Sequence, residues 1–286
     1  MTGRTSWNVL RALMRHHLTG TIAGFLLLLI VLTALLAPWL APGDPTDMQP
    51  VDRLKSPQES GLMGTDVFGR DIWSRILYGA RVSLAIGGIS VLAAAVVGTA
   101  LGLLSGYLRG WQDYVVMRVM DVLFSFPSIL LAILIVSING AGFASIVLAI
   151  VLVQVPIFAR VVRGEVLVAA RVDYVQAAEA AGASTSRILA RHILPNVTAP
   201  LLVQMALSIS GAIVIEAALS FLGLGAVPPD PSLGSMLSEN RVAMELAPWT
   251  VIFPGLALGG MVLAINLFGD TVRDLLDPRV RSATSV

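Results

Sequence analysis

Apolar residues in this chain do not alternate with polar ones. They run together in blocks, and the stretches between the blocks collect nearly all of the charge. A helix rising 1.5 Å per residue needs about 20 apolar residues to cross a hydrocarbon core. Six blocks meet that length and predict six spans, at 21–40, 82–108, 114–138, 141–159, 197–225 and 247–268, the fourth bent at Pro156. The second is rich in small residues (Gly87, Gly88, Gly98, Gly102, Gly106), which let helices approach closely within a bilayer. The intervening segments define the organisation: an N-terminal segment 1–20, a polar loop 41–81, a span-rich core 82–270 containing a polar interruption at 166–196, and a tail 271–286. A second outer loop, proline-rich, begins at Ala226.

Composition agrees with this pattern. The chain of 286 residues is 56% hydrophobic and 13% charged, with a mean hydropathy of +0.83. Soluble domains carry about 25% charged residues, so the expected class is an all-α, polytopic integral membrane protein. A net charge of +1 with no basic run argues against nucleic acid as a partner and leaves membrane lipid as the surroundings. There are no cysteines, which excludes disulfides and thiolate chemistry. The basic start through Arg4, Arg11 and Arg15, followed by a long apolar run without an obvious cleavage site, reads as a retained signal-anchor.

Six spans place both termini on one side. Putting the termini in the cytoplasm divides the 19 Lys and Arg about two to one in favour of that side, as cytoplasmic loops prefer. The interruption at 166–196 then also lies in the cytoplasm. Within it, 172–181 is alanine-clad (Ala177, Ala178, Ala180, Ala181) and predicts a thin helix ended by Gly182. Ser184 or Thr185 can cap a second short helix, and Pro195 is expected to stop it. Two short helices bent at a glycine make a compact knob suited to docking another protein.

Little here can do chemistry. The single lysine, Lys55, has no glycine-rich loop before it, so this chain cannot supply a phosphate-cradling P-loop. His16, His17 and His192 form no metal constellation, and no nucleophile–base pair is evident. Ionisable residues inside spans are functional candidates. Arg118 and Asp121, three apart, read as an intrahelical ion pair, and Glu216 has no sequence-adjacent partner. Asp121, Glu216 and Gln204 are the candidates for lining a translocation path, although Gln154 and Gln204 also read as helix–helix hydrogen bonders.

Three blocks carry a family resemblance. Gln176-Ala177-Ala178, Gly182 and His192-Ile193-Leu194-Pro195 resemble the E-A-A, Gly, I-x-L-P coupling loop of ABC-importer permeases, with Gln176 for the glutamate and His192 for the first isoleucine. Met63-Gly64-Thr65-Asp66, Gly69-Arg70-Asp71 and Ser74-Arg75 resemble the outer-loop signature of the C-type permease in dipeptide, oligopeptide and nickel importers. Asn266-Leu267, Gly269-Asp270, Arg273-Asp274 and Leu276-Asp277-Pro278-Arg279 resemble that group's C-terminal run. The resemblance implies a type I importer permease fold in a bacterial inner membrane, with coupling helices between the fourth and fifth spans. It implies Tyr174, Ala183 and Ile188 on the ATPase-coupling surface beside the motif residues. The implied partners are a homologous B-type permease, two ABC ATPase subunits holding ATP and Mg, and an extracytoplasmic substrate-binding protein; this chain itself would bind no cofactor and catalyse no reaction. Di- or oligopeptides are the expected cargo, with nickel chelates, glutathione and other small solutes open. An ion-gradient-driven transporter and a non-transporting scaffold are the other classes the residues allow.

Overall fold

The structure is a computed structural model that describes residues 18–225 and 230–276. The N-terminal arginines, His16 and His17, the start of the second loop and the tail beyond Leu276 lie outside the described residues. The described helices are α1 (Leu18–Leu35), α2 (Ala37–Leu40), α3 (Ile72–Leu108), α4 (Gly110–Ser125), α5 (Ser128–Asn139), α6 (Phe143–Ala169), α7 (Asp173–Ala180), α8 (Thr185–Ile188), α9 (Leu194–Phe221), α10 (Leu233–Asn240) and α11 (Trp249–Leu276). They group into two compact units, Met1–Leu84 with Val227–Val286, and Ala85–Ala226, and α3 passes through both.

In the first unit α1 packs along α11, where Gly20 faces Thr271 and Gly24 faces Phe268. The loop between α2 and α3 is pinned by side chains rather than by regular structure. In the second unit α6 is the central element, packed by α4, α5 and α9, and its residues Ile146, Ile150, Phe158 and Val162 are fully buried. α3 meets α6 through a glycine ladder: a Cβ on Gly98 would lie 2.5 Å from Phe158 Cβ, one on Gly102 2.6 Å from the Ala159 carbonyl, and one on Gly106 2.8 Å from Val166 Cβ. Three glycines four residues apart thus remove the side chains from one face, and the two backbones meet in van der Waals contact.

The span pattern differs from expectation in instructive ways. Four helices, α3, α6, the run from α8 through α9, and α11, are long and apolar enough to cross a membrane. The expected third span is broken: α4 and α5 meet at 93°. Pro127 explains the break, because its ring holds the preceding Phe126 extended (φ −82°, ψ 137°) and it brings no N–H to the ladder. Counted as one span the broken pair is a fifth. The first apolar block ends at Leu35, before the separate turn α2 with Pro38 in its first turn; the described residues therefore show four spans, or five with the broken pair, and the expected six are not confirmed. α3 starts ten residues before the expected boundary, capped by Asp71, whose carboxylate accepts from the Ser74 N–H and hydroxyl at 2.7 Å each. α6 runs through Pro156 as far as Ala169, and α11 continues into the tail to Leu276.

Gly98→Leu must push Phe158 or part the α3 and α6 backbones. We expect it to cost at least ~1–3 kcal/mol, seen as a lowered thermal midpoint in detergent. Gly88→Ala, with nothing within 4 Å of its added Cβ, is expected to leave the midpoint unchanged or raised. Equal midpoints for the two variants would contradict the ladder.

Candidate functional site

The polar interruption folds into an elbow. Val172, extended, precedes α7, and Gly182 adopts φ +78° after it, a left-handed conformation that side chains rarely tolerate. The chain then turns into α8. Pro195 does not stop this second helix, contrary to expectation. It sits in the first turn of α9, and the residues before it, Leu189–Ile193, widen into a π turn closed by the Leu194 N–H on the Leu189 carbonyl. The ring of Pro195 would crowd the Arg191 carbonyl in a regular α-turn and offers it no N–H, so the wider turn relieves the clash. The elbow and α9 are in consequence one continuous element.

An apolar cluster holds the elbow to the helices behind it. Val175 from α7 and Ile188, Leu189 and Ile193 from the second arm pack with Val162, Val166 and Ala169 of α6 and Val197 of α9, with Tyr107 and Ala183 at the margin. Of the residues expected on the docking surface, Tyr174, Gln176, Ala177, Gly182 and Pro195 are exposed. Ala178, Ala183, His192 and Leu194 are half-buried, and Ile188 is fully buried, so Ile188 anchors the elbow instead of presenting itself. The Gln176 side chain donates to the Arg171 carbonyl at 3.2 Å. Asn196, which sequence reasoning passed over, donates to the Tyr174 hydroxyl at 2.7 Å and to the His192 carbonyl at 2.6 Å.

The candidates for a translocation path are scattered. Asp121 pairs with Arg160 of α6 at 2.8 Å, not with Arg118, which instead donates to the Tyr114 hydroxyl and lies over its ring. An i, i+3 spacing permits an intrahelical pair, but the neighbouring helix brought a better-placed cation. Asp113 takes a bidentate pair from Arg163, 2.6 Å on each oxygen. Glu216 is fully buried and accepts from the Ser220 hydroxyl one turn on. Gln204 donates to Ser208 one turn on, whereas Gln154 reaches across from α6 to the Ser208 carbonyl. Where α4 breaks from α5, a cavity of about 350 Å³ opens, lined by Phe124, Phe126, Pro127, Leu131, Val153 and Ile157 among others. Irregular backbone at membrane depth is tolerated where it lines such a space.

In the first unit the loop 41–71 closes on a buried charge cluster. Asp66, fully buried, accepts from the backbone N–H of Phe68 and Arg70 and from Arg70 Nε at 2.7 Å. Arg75 lies 3.6 Å from the same carboxylate, and both guanidinium groups reach Glu239 of α10. Gly64 and Gly69 have positive φ and lie against the backbone of Lys55 and Gln49, leaving no room for a Cβ. Thr65 bridges the Lys55 N–H and the Asp52 carbonyl, and Asp71 caps α3. Glu239 and Asn240, which accepts from the Val67 N–H, were not readable as partners because they lie more than 160 residues away. Among the described residues no group of His, Asp and Glu could hold a metal ion.

Among the described residues the helical spans, one of them broken, and an elbow continuous with a span define a polytopic helical membrane protein. Residues 98–282 match the family of binding-protein-dependent transport system inner membrane components, and residues 6–57 match the N-terminal TM domain of oligopeptide transport permease C. The chain is 46% identical over 281 residues to a glutathione transport system permease protein of Pectobacterium atrosepticum, covering 98% of this chain and 93% of the relative. It is 46% identical over 252 residues to a dipeptide transport system permease protein of Alkalihalophilus pseudofirmus, covering 88% and 83%. Two solved transporters share the fold at low identity. An inward-facing methionine ABC transporter has a TM-score of 0.57 at 19% identity, covering 71% of this chain and 96% of that one. An amino acid ABC transporter has a TM-score of 0.53 at 16% identity, covering 73% and 94%. The chain belongs to the family of binding-protein-dependent inner-membrane components, as a C-type permease subunit of an ABC importer.

Asp66→Ala leaves two buried guanidinium groups sharing a single carboxylate, the partly exposed Glu239. Breaking a buried pair from one side costs about 3–5 kcal/mol, so the variant is expected to lose most of its folded yield in detergent. Glu239→Gln, at a more solvated position, should be milder. A melting curve of Asp66→Ala indistinguishable from the parent would show the cluster to be dispensable.

Proposed function

We propose that this chain forms half of the translocation pathway of an ATP-driven importer of short peptides, and that its elbow is the seat of an ATPase subunit. The exposed alanine face of α7, held on a buried apolar cluster and continuous through the π turn with α9, carries the reading. A thin helical face admits close docking, while the anchoring beneath it lets displacement pass into a span instead of being absorbed locally. Coupling of this kind works through packed elements with two discrete arrangements.

The remainder of the assembly follows from the same reading. The excess of arginine on the elbow's side supports a cytoplasmic elbow and cytoplasmic termini in a bacterial inner membrane. The second half of the pathway would come from a homologous B-type permease. ATP and Mg would reside on two ATPase subunits, since this chain has no P-loop lysine, and it would bind no cofactor of its own. Cargo would arrive from an extracytoplasmic binding protein at the side of the loop 41–71. Dipeptide and glutathione, the cargoes in the relatives' names, are both short peptides, which supports that class over nickel chelates. ATP-driven closure would then move the elbow, rock the spans and open the space at the α4–α5 break in alternation.

Ala177→Arg places a long cation on the exposed face without touching Val175, and Gly182→Pro imposes φ near −65° where +78° is required. Both are expected to reach the membrane at normal levels while ATP-dependent peptide uptake into proteoliposomes falls at least about tenfold, equivalent to ~1.4 kcal/mol of coupling. Undiminished uptake by Ala177→Arg would overturn the docking role.

A further inference from the structure

The route from the docking face into α9 crosses the least regular turn of the elbow. Through Leu189–Ile193 the ladder is π-type, and Pro195 contributes no N–H, so the main chain there is held by fewer and wider rings than a regular helix would supply. A push on α7 transmitted along the main chain alone would meet this turn first and could be spent in rewinding it. A second route bypasses it. Tyr174, in the first turn of α7, lies before the turn in sequence, and Asn196, on α9, lies after it. The Asn196 amide donates to the Tyr174 hydroxyl at 2.7 Å and to the His192 carbonyl at 2.6 Å, and the Tyr174 hydroxyl lies 3.4 Å from that same carbonyl. The Tyr174 and His192 rings approach with centroids 6.2 Å apart. Three points, one on each side of the π turn and one within it, are thereby tied together.

We infer that Tyr174 and Asn196 are positioning residues that clamp the π turn, so that movement of α7 is delivered to α9 rather than lost in the turn. The inference rests on the docking role proposed for the elbow. It assigns the clamp to side chains because the main chain at this point is held by wider and fewer rings. Neither residue needs to touch the ATPase for the clamp to act.

The test uses the whole reconstituted transporter and reads peptide delivered per ATP hydrolysed, a ratio that a change in folded yield leaves untouched. Tyr174→Phe keeps the ring beside His192 and removes only the hydroxyl. Loss of the hydroxyl's hydrogen bond from Asn196, together with its longer one to the His192 carbonyl, predicts a fall in the ratio of about fivefold. Asn196→Ala should fall by a similar factor, and the double variant should be no worse than the more severe single one, because both break the same link. Additive losses would overturn the clamp, as would an unchanged ratio in Tyr174→Phe. Ala177→Arg run in parallel separates the two readings. If it abolishes uptake while Tyr174→Phe is fully coupled, the clamp fails and the docking role stands. If both variants transport normally, the docking role itself has failed.

Discussion

Apolar burial behind an exposed helix decides whether that helix can act as a lever. Here Val175, Ile188, Leu189 and Ile193 are driven against Val162, Val166 and Val197, all but removed from contact with solvent. A buried aliphatic side chain contributes about 1.5–3 kcal/mol relative to an exposed one, so the elbow cannot swing free of α6 and α9 without exposing several of them. The alanines and Gly182 shape the surface, but the cluster beneath converts that surface from a loose linker into part of the bundle. The glycine ladder of α3 serves the same end, and Leu103 and Tyr107 of α3 pack against the same cluster. By bringing α3 into backbone contact with α6, the ladder supports the helix on which the elbow rests.

The charged groups follow a related logic. In and beside the membrane an unpaired charge is costly, and two acids of α4 are paired across helices to α6: Asp113 with Arg163, and Asp121 with Arg160. In the first unit, Asp66 and Arg70 of the polar loop, Arg75 of α3 and Glu239 of α10 form a compact neutral cluster. Such clusters set geometry more than they add stability. The motif of glycines and charges in the loop 41–71 is therefore first a folding device.

A good deal of this was legible in the linear chain. The apolar blocks announced a helical membrane protein because a hydrocarbon core about 30 Å thick demands helices of a certain length, whatever they pack against. Gly182 announced the elbow's corner, since a glycine after an alanine-rich helix satisfies a left-handed turn. Each of these is a local property, decided by a residue and its near neighbours.

What only the tertiary structure decided was partnership and continuity. Asp121 had Arg118 within reach along its own helix and took Arg160 of α6 instead, because the packing angle brought that cation closer. Ile188 looked like surface and became core. Pro127 broke a span while Pro156 and Pro195 did not, although all three residues lack an N–H: Phe126 is extended, whereas the turn before Pro195 could widen into π geometry. A proline's covalent constraint is written in the sequence. Whether the helix yields to it depends on whether the neighbouring helices hold the flanking turns in place, and that is known only once they are packed.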